Sequence, residues 1–212
     1  MKSASRRSMG WLRACTVVAL MLAPGQAHQV FAADHFPFGE LSTPRPIPAW
    51  VMKTADGVAV PLPRLLKGHV TAVQLMFTSC NAICPLQGAT FAKAQTQLGR
   101  EIPDAQFISI SIDPANDTPA AMTEWLHTYG ARSGWIGVTP APDDAIAVQR
   151  LLGDGGMPQP QGADPHSGQV YIVNREGVLI YRTAAMPSAR TIVDALRTVS
   201  RSASLTSTDI RQ

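Results

Sequence analysis

An apolar run over residues 70–77 stops at a polar turn, Thr78-Ser79, and delivers two cysteines, Cys80 and Cys84, with Pro85 directly behind them. Proline fixes its own φ and has no N–H to lose, so it belongs in the first turn of a helix. Leu86, Phe91, Ala94 and Leu98 follow at helical spacing. The pattern predicts a strand, a loop and a helix, with Cys84 at the helix N-cap and Cys80 in the loop before it. The unpaired N–H groups and the positive end of the helix favour a thiolate there and should lower the Cys84 pKa. A thiolate is both a nucleophile and a soft metal ligand.

The rest of the chain repeats the alternation. Residues 105–113 are rich in β-branched side chains, and Thr118-Pro119 reads as the cap and first residue of a helix carrying Met122, Trp125, Leu126 and Tyr129. Residues 135–138 predict a third strand, and Pro142 opens a helix carrying Ile146, Leu151 and Leu152. Residues 168–174 and 178–182 flank Arg175-Glu176-Gly177 as a hairpin. Pro187 then starts a last helix with a buried stripe of Ile192, Val193, Leu196 and Val199. Before all of this, Pro44, Pro46 and Pro48 mark a leading segment, and the turn signal Asp56-Gly57 marks a small hairpin. The class is α/β, a mixed central sheet with helices on both faces and an N-terminal hairpin extension, in the pattern of the thioredoxin-like fold.

The first residues are read separately. Lys2, Arg6, Arg7 and Arg13 precede a short apolar run and then small residues, which predicts a signal peptide over residues 1–32, cleaved after Ala32 or after Ala27. An uncleaved membrane anchor is the alternative, although the run is shorter than the roughly 20 residues of a spanning helix. Residues 33–200 are then one domain of ordinary size, and the Ser- and Thr-rich residues 201–212 have too little apolar content to order themselves. Four of the 18 Lys and Arg residues and none of the 15 acidic ones lie in the leader. The remainder is close to neutral, which argues against a nucleic-acid surface.

Cys15 falls in the leader, so Cys80 and Cys84 are the domain's cysteines. A bridge across three residues would restrain the unfolded chain little, which points to a reactive or metal-binding pair rather than a structural staple. Whether the two sulfurs close on each other or on a metal stays open. Soft thiolates select copper(I), zinc or iron–sulfur clusters, and structural zinc and clusters ask for four protein ligands. His166, in the polar loop Gly162-Ala163-Asp164-Pro165-His166-Ser167 just before a strand, is the natural third ligand. Two sulfurs and an imidazole suit copper in either oxidation state. His35, His69 and His127 have no partner at ligand spacing and read as ordinary surface or packing residues. Met76, Met122 and Met186 read as core, and Met157 as packing near His166.

Three segments resemble one family. Phe77-Thr78-Ser79-Cys80-Asn81-Ala82-Ile83-Cys84-Pro85 resembles the CxxxCP signature of the SCO/SenC family, and Ser111-Ile112-Asp113-Pro114-Ala115-Asn116-Asp117-Thr118-Pro119 resembles its S(V/I)DPxxDTP segment. His166-Ser167, followed by residues 169–174 and Glu176-Gly177, resembles its histidine strand and hairpin. The resemblance implies a thioredoxin-like copper chaperone in cytochrome c oxidase assembly, with Cys80, Cys84 and His166 holding one copper ion, Cu(I) or Cu(II), per chain. It also implies an oxidase subunit as client, a thiol reductant protein as partner, and a periplasmic or otherwise extracytoplasmic setting close to a membrane. The competing reading is an extracytoplasmic thiol–disulfide oxidoreductase that cycles a Cys80–Cys84 disulfide. A peroxiredoxin-like peroxidase shares the fold but expects a lone peroxidatic cysteine. His166 separates the first two.

Overall fold

The computed structural model describes residues 38–154 and 168–208 of the chain. The expected leader lies outside them. In chain order the elements are β1 (Gly39–Pro46), β2 (Val51–Thr54), β3 (Ala59–Pro61), α1 (Leu62–Leu66), β4 (Val70–Met76), α2 (Ile83–Leu98), β5 (Ala105–Ser111), α3 (Pro119–Thr128), β6 (Trp135–Pro140), α4 (Pro142–Gln149), a π-helical turn (Arg150–Asp154), β7 (Val170–Val173), β8 (Val178–Arg182) and α5 (Ala189–Thr208). Among the described residues no helix is long and apolar enough to cross a membrane.

β4 is buried along its whole length, which is how a strand covered on both faces reads. Val70, Ala72 and Met76 join one core with Phe91, Trp125 and Leu196. Val73 and Leu75 point the other way, into a second core with Leu62, Leu66 and Val148. Period-two alternation in one strand thus seeds two cores, with α2, α3 and α5 covering one face and α1 and α4 the other. Each fully buried Phe or Leu contributes about 1.5–3 kcal/mol relative to exposure. The sheet is mixed, in the order β1-β8-β7-β4-β5-β6-β2-β3. β4, β5 and β6 run parallel, and β7 returns antiparallel beside β4.

This topology gathers three loops at one end of the sheet. Met76 pairs with Ser111, so the segments after β4 and after β5 leave side by side. Gln74 pairs with Val170, so the segment leading into β7 arrives at the same end. Ligands of open α/β sheets bind at such carboxyl ends.

Several sequence expectations need correction. The proline-bearing leading segment is a strand, β1, paired with β8 and irregular in register between Glu40 and Arg45. It lies at the sheet edge, where a missing N–H is tolerated. The helix opened by Pro142 ends at Gln149, so Leu151 and Leu152 fall on the π-helical turn that follows; α4 buries Ala145 and Val148, and Leu152 completes that stripe. The last helix begins after Ser188, whose hydroxyl accepts the Thr191 N–H at 3.1 Å, and it runs on to Thr208. Extending an established helix adds one hydrogen bond per residue fixed, so the polar tail continues what the apolar stripe began. Its expected inward residues, Ile192, Val193, Leu196 and Val199, are all buried.

Candidate dithiol site

The loop between β4 and α2 carries the cysteines. The Cys80 N–H donates to the Phe77 carbonyl at 3.2 Å, closing a turn straight after the strand. α2 then begins at Ile83, with Ala82 as a cap residue that makes no side-chain cap bond. The helix therefore starts two residues ahead of Pro85, which corrects the expected placement of Cys84 at the N-cap. Proline fits anywhere in the first turn, where an N–H has no partner within the helix, so Pro85 marks the turn but not its first residue.

The two thiols consequently have different surroundings. Cys84, inside the first turn, is fully buried in the core, whereas Cys80 is half-buried and packs against that core from outside; neither is in a disulfide. Burial pushes the Cys80 thiol up, but hydrogen bonds from the Cys84 side chain and from the backbone N–H groups of Cys84, Ala82 and Ile83 outweigh it. The Cys80 pKa lies below the ordinary thiol value. The helix-start amides thus act on Cys80. Cys80 occupies the role that a Ser or Asp oxygen fills in an ordinary N-cap.

Two further residues belong to the site and were not singled out as functional from the sequence. Tyr129, at the end of α3, lies against Gly88, where a Cβ would sit 2.8 Å from three of its ring carbons. Burial raises the Tyr129 phenol pKa, and negative charge on Cys84 and Cys80 raises it further. A glycine inside a helix costs about 1 kcal/mol relative to alanine, and that was the available signal of a close approach. Asp117, buried in the turn before α3, accepts the Thr78 N–H at 3.0 Å and the Thr78 hydroxyl at 2.5 Å on one oxygen. Its other oxygen accepts the Ser111 hydroxyl at 2.6 Å.

The remaining candidates fall elsewhere. His69 stands at the start of β4, about 20 Å along the strand from the cysteine end, and its Nδ1 lies 3.1 Å from the Asp104 carbonyl. His127 is exposed on α3. Met76 and Met122 are core residues, but Met186 is 41% exposed, which corrects its assignment to a core stripe. It sits in the loop before α5 with a φ of 49° and donates its N–H to the Gly168 carbonyl. His35, Met157 and His166 lie outside the described residues. Among the described residues, no group of three His, Cys, Asp or Glu side chains is arranged to hold a metal ion. The cysteine pair by itself offers two soft donors, a fit to copper that asks for a third ligand.

A mixed sheet with helices on both faces and a thiol pair where its central strand passes into a helix defines a thioredoxin-like dithiol protein. The SCO1/SenC family model matches residues 49–201, and the chain belongs to that family. It is similar to the SCO1 protein homolog of Bacillus subtilis, 28% identical over 137 residues that span 62% of this chain and 69% of the relative. Its fold is that of solved Sco structures. One is BsSco, a member of the Sco family of cytochrome c oxidase assembly proteins with an identified disulfide switch, matched with a TM-score of 0.61 at 24% identity over 74% of this chain and 94% of that one. Another is Bradyrhizobium japonicum ScoI with copper bound, with a TM-score of 0.58 at 21% identity over 73% of this chain and 99% of that one.

Proposed function

We propose that this protein is an extracytoplasmic copper carrier for the assembly of cytochrome c oxidase, holding one copper ion through Cys80, Cys84 and His166. One observation carries the reading: two cysteines outside any disulfide stand together at the carboxyl end of the central strand, the outer one with its pKa lowered. Membership of the SCO1/SenC family supports it, as does the likeness to a copper-bound relative. Support for His166 comes from the topology, since β7 begins beside the cysteine end of β4 and Gly168, two residues after His166, is on that side.

Copper bound here would supply a soft centre that exchanges thiolate ligands with a client's cysteines. Within the chain, Cys80 presents the accessible sulfur, and Cys84 contributes the second from the helix's first turn. The client is an oxidase subunit, and a thiol reductant protein keeps the pair in its dithiol form. The leader over residues 1–32 takes the domain out of the cytoplasm, by cleavage or as an anchor.

Copper titration of the purified, reduced protein tests the reading. One copper per chain is expected, with a thiolate charge-transfer band in the Cu(II) form, and His166→Ala should weaken binding while leaving Cys80 alkylation at its parental rate. A His166→Ala variant that holds copper as tightly as the parent overturns the three-ligand site.

A second reading is favoured by the Cys84 to Cys80 hydrogen bond. A lowered outer thiol with a neighbouring resolving thiol is the arrangement of a thiol–disulfide oxidoreductase. There the Cys80 thiolate attacks a client disulfide and displaces one client thiolate, and Cys84 then expels the other as the Cys80–Cys84 disulfide closes. Rapid reduction of a client disulfide by copper-free protein, unaffected by His166→Ala, would favour it.

A further inference from the structure

We infer that Asp117 is a positioning residue for the dithiol site, acting on Cys80 through Thr78. The inference rests on reading Cys80 and Cys84 as the working pair, whichever of copper or disulfide they handle. Asp117 is 2% exposed, and burying a carboxylate costs several kcal/mol unless its oxygens are satisfied. They are satisfied, and mostly by one residue. The Thr78 N–H reaches both carboxylate oxygens, at 3.0 and 3.2 Å, and the Thr78 hydroxyl reaches one of them at 2.5 Å. Hydrogen bonds to an ionised acceptor are roughly twice as strong as neutral ones, so Thr78 is the most firmly held point of the cysteine loop.

The same residue is tied down on the other sides. Its second oxygen takes the Ser111 hydroxyl at the end of β5, its N–H donates to the Asp113 carbonyl at 2.9 Å, and its own carbonyl accepts the Thr139 hydroxyl of β6 at 3.2 Å. Thr118, next in the chain, caps α3 through the Ala121 N–H at 3.2 Å. One side chain therefore ties the exit of β4 to a block made of β5, β6 and α3.

What it positions is the turn two residues on. Thr78 lies inside the turn closed by the Cys80 N–H and the Phe77 carbonyl at 3.2 Å, and that turn sets where Cys80 stands ahead of α2. If Thr78 is released, the turn that carries Cys80 loses its anchor to the block behind it. A link needed for stability alone would leave the reactivity of Cys80 unchanged once the protein is folded.

The test compares Asp117→Asn and Thr78→Val with Ser111→Ala, which removes a bond to the same carboxylate on the side away from the loop. Cys84 is buried, so iodoacetamide alkylation of the folded, reduced protein at about pH 7 reports on Cys80. The first two variants should slow alkylation by roughly fivefold or more, since an untethered turn no longer holds the Cys80 sulfur in one presented position. They should also weaken copper by roughly tenfold or more, as expected when a ligand loses its supporting contacts. Ser111→Ala should change either by less than about twofold. A folded Asp117→Asn variant that alkylates at the parental rate overturns the inference, and so does equal slowing by Ser111→Ala. Should Asp117→Asn fail to fold, Thr78→Val decides by the same thresholds. If the parent takes up no copper, the copper reading falls while the alkylation rates still judge Asp117.

Discussion

Tyr129 rests its ring on the bare Cα of Gly88, so closely that a methyl group there would lie 2.8 Å from three ring carbons. The contact joins the first turns of α2, which carry Cys84, to the end of α3, and the ring continues into Trp125 at a centroid distance of 4.8 Å.

Gly88→Ala should therefore destabilise the protein despite improving helix propensity. Alanine gains about 1 kcal/mol inside a helix, but overpacking against a rigid ring costs about 1–3 kcal/mol, so the denaturant midpoint should fall. Adding Tyr129→Ala should restore part of the loss. A midpoint that rises in Gly88→Ala alone would show that the ring yields freely.

Cys80 makes the reduced protein's stability depend on pH in a definite direction. Its folded pKa is below the ordinary thiol value of 9.0, so the thiolate's contribution is complete above that value and is lost as pH falls through the folded pKa. Urea midpoints of the reduced protein should thus climb, relative to Cys80→Ser, between neutral pH and 9.0. Parallel curves for the two proteins would refute it.

Arg175 and Asp104 predict an acid-side effect far from the thiols. Arg175 grips both Asp104 oxygens, at 2.5 and 3.1 Å, and donates to the Ser200 carbonyl at 3.2 Å, joining the β7–β8 turn to α5. Burial pushes the Asp104 carboxyl up, but the Arg175 hydrogen bond and charge prevail and hold it below 3.8. Its contribution is present above that value and disappears as pH falls through the lower folded pKa. Arg175→Gln should cost about 1–2 kcal/mol at neutral pH and progressively less as the pH is taken below 3.8, as a series of thermal melts would show.

The parts legible in the sequence were those set by neighbours in the chain. The run into β4, the cysteine pair, the Pro85 turn and the α5 stripe all depend on residues within a few positions. β1 was hidden because its prolines argue against a strand, and only its pairing with β8 makes one. That Cys80 receives helix amides depends on where α2 begins, and its start two residues before Pro85 brings those donors within reach of the earlier cysteine. Tyr129 and Asp117 read as a helix-stripe residue and a motif position, since the partners that give them a role at the site, Gly88 and Thr78, come from distant strand–helix units. The ligand role of His166 was drawn from loop convergence and family resemblance, and it remains part of the proposal.

Ala82 brings no side-chain oxygen to the start of α2, so the opening amides of a 16-residue helix lean on a sulfur atom whose charge changes with its chemistry. When that sulfur enters a disulfide it ceases to be an anion, and the amides of residues 82–84 lose their best acceptor. Their hydrogens should then exchange with deuterated solvent sooner than in the dithiol form. An event at two atoms thereby becomes a change in the fraying of a helix end, which a partner protein could sense without touching either sulfur.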